Sequence, residues 1–308
     1  MPPFRFGYQF RDPEPDELRV AARQAEAAGF DVISSWDHVA ASWTPLLPLL
    51  AVAEATTKVR VCPLVINNDF HHPVHLAAAI ADLDVLTDGR VELGIGAGHA
   101  FTEYAALGQP FDPPAVRKQR LMEAVGLLRR LFDGEEIRID GDQYRLAGPR
   151  IRRTRQDHLP ILVGVNGRDA LAGAVPIADT IGLTMLGRTL SDGQRHEVRW
   201  QSARLDATIS HIRRQPGGAA IELNALVQAV RITDDRTAVA HELADAVEGL
   251  TVDDALETPF LALGTADEIT EHFMRCRARW GISYLTARDI DAFQPVIERL
   301  RTLDRRQQ

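Results

Sequence analysis

The sequence predicts an α/β fold, a (β/α)8 TIM barrel carrying insertion segments. Three observations lead there. Eight short β-rich runs alternate with amphipathic stretches along the whole length. The chain has 308 residues, long for an ordinary domain and normal for such a barrel. The first strand runs into Arg11-Asp12-Pro13, which offers no glycine-rich phosphate turn of the kind that opens a doubly wound sheet. A single domain over residues 1–308 is expected, because neither a low-complexity linker nor an internal repeat interrupts the pattern.

Each element has its own signal. Phe4 to Phe10 alternates as a strand does, and a helix follows with apolar positions Leu18, Ala21, Ala22, Ala25 and Ala28. It is capped near Asp16 and stopped at Gly29. Residues 30–36 (FDVISSW) form the second strand, and Pro45 to Thr56 the next helix. Residues 59–66 (VRVCPLVI) are nearly all apolar, as a strand buried on both faces must be. Pro73 to Leu86 is helical and ends at Asp88-Gly89. Residues 90–98 (RVELGIGAG) are a fourth strand entering a glycine-rich turn. Pro114 to Phe132 is a long amphipathic helix, and Gly141-Asp142 marks a small hairpin within Glu136 to Leu146.

Residues 160–165 (PILVGV) are the fifth strand, with a helix starting near Asn166. Thr180 to Leu186 is the sixth strand, Gln194 to Arg214 a helix, Ile221 to Ile232 the seventh strand and Thr237 to Glu248 a helix. Thr265 to Trp280 is helical, residues 281–287 (GISYLTA) are the eighth strand, and Asp291 to Leu303 closes the fold. Segments 101–114, 136–158 and 190–218 are expected as insertions decorating the barrel.

Composition narrows the function classes. The chain is 45% hydrophobic and 25% charged, ordinary for a large buried core. A net charge of −8 argues against a nucleic-acid or anionic-membrane surface. Cys62 and Cys276 have neither metal-ligand nor disulfide-framework spacing, and Cys62 sits in an apolar run as a buried thiol would. No metal site is expected. The N-terminus lacks an apolar signal region and no apolar run reaches membrane-spanning length, so a soluble cytoplasmic protein is expected. Of 35 basic residues only Lys58 and Lys118 are lysine, a bias of the kind a GC-rich genome produces.

Active sites of such barrels lie at the C-terminal ends of the strands. Those ends deliver Gln9-Phe10, Trp36-Asp37-His38, Asn67-Asn68-Asp69, Gly96-Ala97-Gly98-His99, Gly164-Val165-Asn166-Gly167 and Thr286-Ala287-Arg288. Asp37-His38 is the most suggestive pair. A histidine there can move a proton near neutral pH with a neighbouring carboxylate orienting its ring, or it is an exposed loop residue, and the residues alone leave both open. Gly96-Ala97-Gly98 lets backbone approach a flat ligand closely. Gly164-Val165-Asn166-Gly167 lies between a strand and a helix, where free amides and the helix dipole can hold a phosphate. His71 and His72 read as helix-entry residues. Glu103-Tyr104, in the first insertion, either lines a substrate pocket or begins a surface helix.

Several stretches, taken in order, carry a resemblance. AEAAGFDVISSWDHV, then VRVCPLVINNDFHHPVHLAAAIADLDVLTDGRVELGIGAGH, then PILVGVNGRDALAGAVPIADTIGL, and finally GTADEITEHF with GISYL resemble successive parts of the luciferase-like flavin monooxygenases and their coenzyme F420-dependent relatives. The resemblance covers nearly the whole chain and is strongest to the F420-dependent oxidoreductases. It implies the bacterial luciferase-like barrel and a hydride transfer between F420 and a small organic substrate, with FMN and oxygen the alternative chemistry. A barrel that binds a flavin without turnover is a third reading.

The resemblance also implies residue roles. His38 would stand beside the reactive ring carbon, preceded by Asp37. Leu64-Val65 falls where the family has a non-proline cis peptide under the ring. Asn67, Gly96 and Gly98 would line the cofactor, with His99 near its mouth. Gly164, Val165, Asn166 and Gly167 would surround the phosphate. Trp43 would wall the substrate pocket, as a tryptophan shortly after the histidine does in some relatives, and Glu103 is kept as a pocket candidate from its place in the first insertion alone. Relatives are often homodimers through helices flanking the second and third strands, so a homodimer is expected by analogy.

Overall fold

A computed structural model describes residues 2–39, 43–192 and 195–307. The first half alternates strand and helix: β1 (Arg5–Gln9), α1 (Pro15–Ala27), β2 (Val32–Ser35), α2 (Leu47–Ala55), β3 (Arg60–Pro63), β4 (Ile66–Asn67), α3 (Pro73–Leu86) and β5 (Leu93–Gly96). Then follow α4 (Phe101–Ala106), α5 (Pro114–Phe132), a hairpin of β6 (Arg138–Asp140) and β7 (Arg145–Ala147), β8 (Ile161–Gly164), α6 (Arg168–Ala174) and β9 (Thr180–Leu183). The rest is β10 (Leu186–Thr189), β11 (His196–Val198), α7 (Ser202–Arg213), β12 (Glu222–Leu226), β13 (Ala229–Ile232), α8 (Arg236–Ala246), α9 (Val252–Glu257), β14 (Leu261–Gly264), α10 (Ala266–Trp280), β15 (Ile282–Ala287) and α11 (Ile290–Gln307).

The main sheet runs β3-β2-β1-β15-β12-β9-β8-β5-β4. β3 and β4 are two halves of one barrel position, parted at the Leu64–Val65 peptide, which is cis. Val61 bridges Val91 beside β3, and β4 pairs in parallel with β5, so the sheet returns on itself. The result is an eight-position parallel barrel with helices outside. Its strands are buried on both faces, which explains their continuous apolar character: every residue of β2, β5, β9 and β15 is buried.

Local chemistry sets the boundaries. Thr265 and Glu268 form a reciprocal capping box at the start of α10, and Gly281 ends it in the left-handed region (φ 71°), so β15 begins at the next residue. At the N-terminal mouth Glu92 accepts from Arg5 and from Arg60, both at 2.6 Å, while Arg5 also reaches Glu222 at 2.8 Å. This network, roofed by Tyr284 over Arg5, seals that end and leaves the C-terminal end open.

Three expectations are corrected. The sixth barrel strand stops at Leu183, and Leu186–Thr189 turns away into an antiparallel hairpin with His196–Val198. Residues 195–201 are therefore not helical, and the helix begins at Ser202; Gln194 lies outside the described residues. The hairpin is fixed by the buried Trp200, whose indole donates to Thr184 O, and by Arg199 N donating to Met185 O. Second, α7 connects barrel strands β9 and β12, so it is part of the barrel rather than insertion. Third, the seventh strand ends at Leu226. β13 leaves the barrel to pair in parallel with β14, a strand the sequence reading missed along with α9.

Candidate active site

The C-terminal strand ends surround a cavity of about 660 Å³. Asp37, His38, Leu64, Val65, Asn67, Gly96, Gly98, His99, Glu103, Gly164, Val165 and Asn166 all line it. Gly167 lies just behind the lining. Trp43 is outside it: its indole donates to Pro13 O, and its backbone N–H donates to Asp12.

Asp37 and His38 do not act on each other. They lie past the end of β2, and each meets a different partner. Asp37 Oδ2 accepts from Asn67 N at 2.9 Å and meets His71 Nε2 at 3.0 Å, which gives His71 a role beyond helix entry. The carboxylate on His38 is that of Glu103, with Oε1 2.6 Å from Nδ1.

Glu103 is placed by its neighbour. Tyr104 is buried, and its hydroxyl lies 3.2 Å from Asn67 Oδ1 and 3.0 Å from Asp69 Oδ2. Burial first, then the Asp69 charge, push this phenol up to about 12, so it stays a donor. A Cβ at Gly98 (φ 71°) would stand 2.2 Å from that hydroxyl, so only glycine lets α4 dock here.

The bulge at Leu64–Val65 is held from two sides. Gln9 Nε2 donates to Leu64 O at 2.6 Å, and Asp37 holds the amide of Asn67. A Cβ at Gly96 would meet Val65 Cγ2 at 2.8 Å, so this glycine admits the bulge into the cavity.

Two further imidazoles lie in series against His38, the first edge-on and the second tilted. His99 lies 5.6 Å from His38 and 5.1 Å from His196 between ring centroids. His99 is exposed at the cavity mouth, and desolvation by the protein around it, then His196 and His38, bring it down to about 4. His196 comes from the hairpin strand β11, and nothing in the sequence pattern marks it.

At the other end of the cavity the loop 164–167 faces Lys118 on α5. A Cβ at Gly167 (φ +94°) would lie 3.2 Å from Lys118 Nζ. Burial, then Arg117, lower the lysine from its ordinary value, and no carboxylate pairs with it among the described residues. An unpaired, partly buried ammonium beside open loop amides is suited to an oxyanion. Lys118 lies 49 residues before Gly167 on another element, so sequence reading missed it. Arg288, at the end of β15, bonds Gln9 Oε1 and Gln228 Oε1, each at 2.9 Å. Chemically, the cavity can bind an oxyanion at one end and hold or pass a proton at the other.

Comparison with known proteins places the family and the fold. F420-dependent glucose-6-phosphate dehydrogenase of Nakamurella multipartita is 34% identical over 188 residues, 58% of this chain and 55% of that protein. The chain spans about half the length of the curated relatives it matches. The F420-dependent tetrahydromethanopterin reductase of Methanopyrus kandleri superposes with a TM-score of 0.75 at 17% identity, covering 96% of this chain and 98% of that one. A monooxygenase of Streptomyces bottropensis has the same TM-score at 20% identity, covering 99% and 100%. The family model for luciferase-like monooxygenases matches residues 3–279, and the chain belongs to that family.

Proposed function

We propose that the protein is an F420-dependent oxidoreductase acting on a small organic substrate. The observation that carries this is the pairing, in one cavity, of an unpaired Lys118 at the glycine loop with a His38–Glu103 couple at the opposite end. The residues present fit a flat cofactor with a phosphate tail. Leu64 and Val65 would face the ring, Asn67, Gly96 and Gly98 would line it, and Lys118 with the loop 164–167 would hold the phosphate. When bound, the deazaflavin supplies the ability to give or take a hydride.

The protein's own groups do the rest. His38 stands in the cavity with one nitrogen engaged by Glu103 and can hold or release the proton that matches the hydride. Glu103 orients the ring through its contact with Nδ1. Tyr104 fixes Glu103, and His99 sits edge-on against His38. Names of the relatives support F420: the dehydrogenases from Nakamurella multipartita and Mycobacterium tuberculosis are both F420-dependent. Asp37 serves the site by bracing the bulge.

No helix among the described residues is long and apolar enough to cross a membrane, and we read the chain as a cytoplasmic single-domain protein. A homodimer is supported by exposed Leu47 on α2 and Val85 and Leu86 on α3, the helices beside the second and third barrel positions. Titration of the purified protein with F420 and separately with FMN, followed by fluorescence quenching, tests the reading. Tight binding of F420 alone is expected. Tight binding of FMN alone would replace it with the oxygen-using monooxygenase.

A further inference from the structure

A second cavity, of about 470 Å³, opens between the ends of β1, β12 and β15. Arg288 and Gln228 line both this cavity and the main one, so they form the partition between them. Arg11 and Arg231 line the outer chamber as well. Its carboxylates are Asp12 and Asp289, and both are already engaged. Asp12 Oδ1 accepts from Trp36 Nε1 and Trp43 N, and Asp289 Oδ1 accepts from Ala292 N at the start of α11.

Arg288 is the unusual member. It is half-buried, yet no carboxylate lies within ion-pair distance of it among the described residues. Its two partners, Gln9 and Gln228, are neutral amide oxygens that fix the plane of the guanidinium and leave its charge uncompensated. Burial and the nearby Arg11 hold its proton less firmly than usual, at about 10. A partly desolvated cation without a counter-ion is costly, and an arriving anion relieves that cost. A planar fork held on one side by amides presents its remaining donors as a two-pronged receptor for a carboxylate or a phosphate. Gln9 links the site to the chemistry, because the same side chain donates to Leu64 O at the cis peptide.

We propose that Arg288 is a substrate anchor, and that the substrate of this enzyme carries an oxyanion group bound between the two cavities while its reacting carbon lies toward His38. This deepens the hydride-transfer reading and rests on it for the identity of the reacting end. Arg11 and Arg231 at the outer rim would draw the anion in.

The test uses the whole protein without substrate. Inorganic phosphate and malonate are titrated separately by calorimetry into wild type, K118Q, and K118Q combined with R288Q or R288K. Saturable binding is expected in wild type and in K118Q. In the K118Q background, which removes the oxyanion site at the glycine loop, it should weaken by roughly tenfold or more when R288Q is added and be partly restored when R288K is added instead. The stronger of the two probes identifies the substrate group as phosphate or carboxylate. Equal binding of both anions to K118Q with and without R288Q would overturn the proposal, as would binding lost in K118Q alone. The melting temperature of R288Q without anion should not fall, because an uncompensated charge has been removed. A lowered value would make Arg288 structural and sink the idea. F420 affinity should be unchanged in R288Q, and a large loss would assign the arginine to the cofactor instead. The anion titrations need no cofactor, so a failure of F420 to bind would fell the earlier reading and leave the Arg288 result standing.

Discussion

At the scale of single residues, the contact that matters most joins His38 to Glu103 across 65 positions. Sequence reading had both residues at the site and paired His38 with the wrong carboxylate. Adjacency suggested Asp37, but that carboxylate is taken by Asn67 and His71, and a partner on a separate helix carries no signal in the order of residues. If Glu103 positions the imidazole, Glu103→Gln should lower kcat by roughly ten- to a hundredfold, and His38→Ala by roughly a hundredfold or more, with F420 affinity nearly unchanged. The double variant should be no slower than His38→Ala, because the two residues act as one unit. Steady-state kinetics with F420 binding in parallel provide the check. Independent, multiplying losses would mean that Glu103 acts on substrate and not through His38.

At the scale of elements, most of the barrel was legible because its strands are short apolar runs and its helices begin at a capping box or stop at glycine. Gly29, Gly89 and Gly281 all lie in the left-handed region, where such stops require them. What failed was the stretch after β9. Strand residues there continue past Leu183, so periodicity alone could not show that the chain leaves the barrel at Thr184 and folds back through Trp200. The phosphate end shows the same limit. Loop 164–167 was visible as a glycine pattern, whereas Lys118 is one residue on a long helix whose other faces are core. Lys118→Gln should raise the F420 dissociation constant by roughly tenfold and leave the melting temperature near that of wild type, since the ammonium makes no ion pair to lose. A dissociation constant that does not move would place the phosphate away from α5.

At the scale of the whole molecule, closure of the barrel depends on α10 packing beside β14 and β15, and a buried histidine makes that packing sensitive to acid. His272 lies within the α10 interface, with Nε2 3.0 Å from Thr258 O and Cys276 Sγ close by. Burial, then the charges of Arg275 and Arg236, bring it down to about 4 from an ordinary 6.5. The sign follows from proton counting. Between these two values the unfolded chain binds a proton that the folded chain refuses, so stability rises with pH and is lost as pH falls from 6.5 toward 4. For one histidine that loss is about 3 kcal/mol. His99, also held near 4, adds a much smaller loss of the same sign, because it is exposed to solvent. His272→Gln keeps a donor for Thr258 O and cannot titrate. Urea unfolding at pH 7 and at pH 4 should therefore show the variant losing about 2–3 kcal/mol less than wild type on acidification. The remaining acid sensitivity should shrink only slightly further when His99 is replaced by phenylalanine. An unchanged difference between the two pH values in His272→Gln would mean that α10 opens to solvent in acid before the fold as a whole gives way.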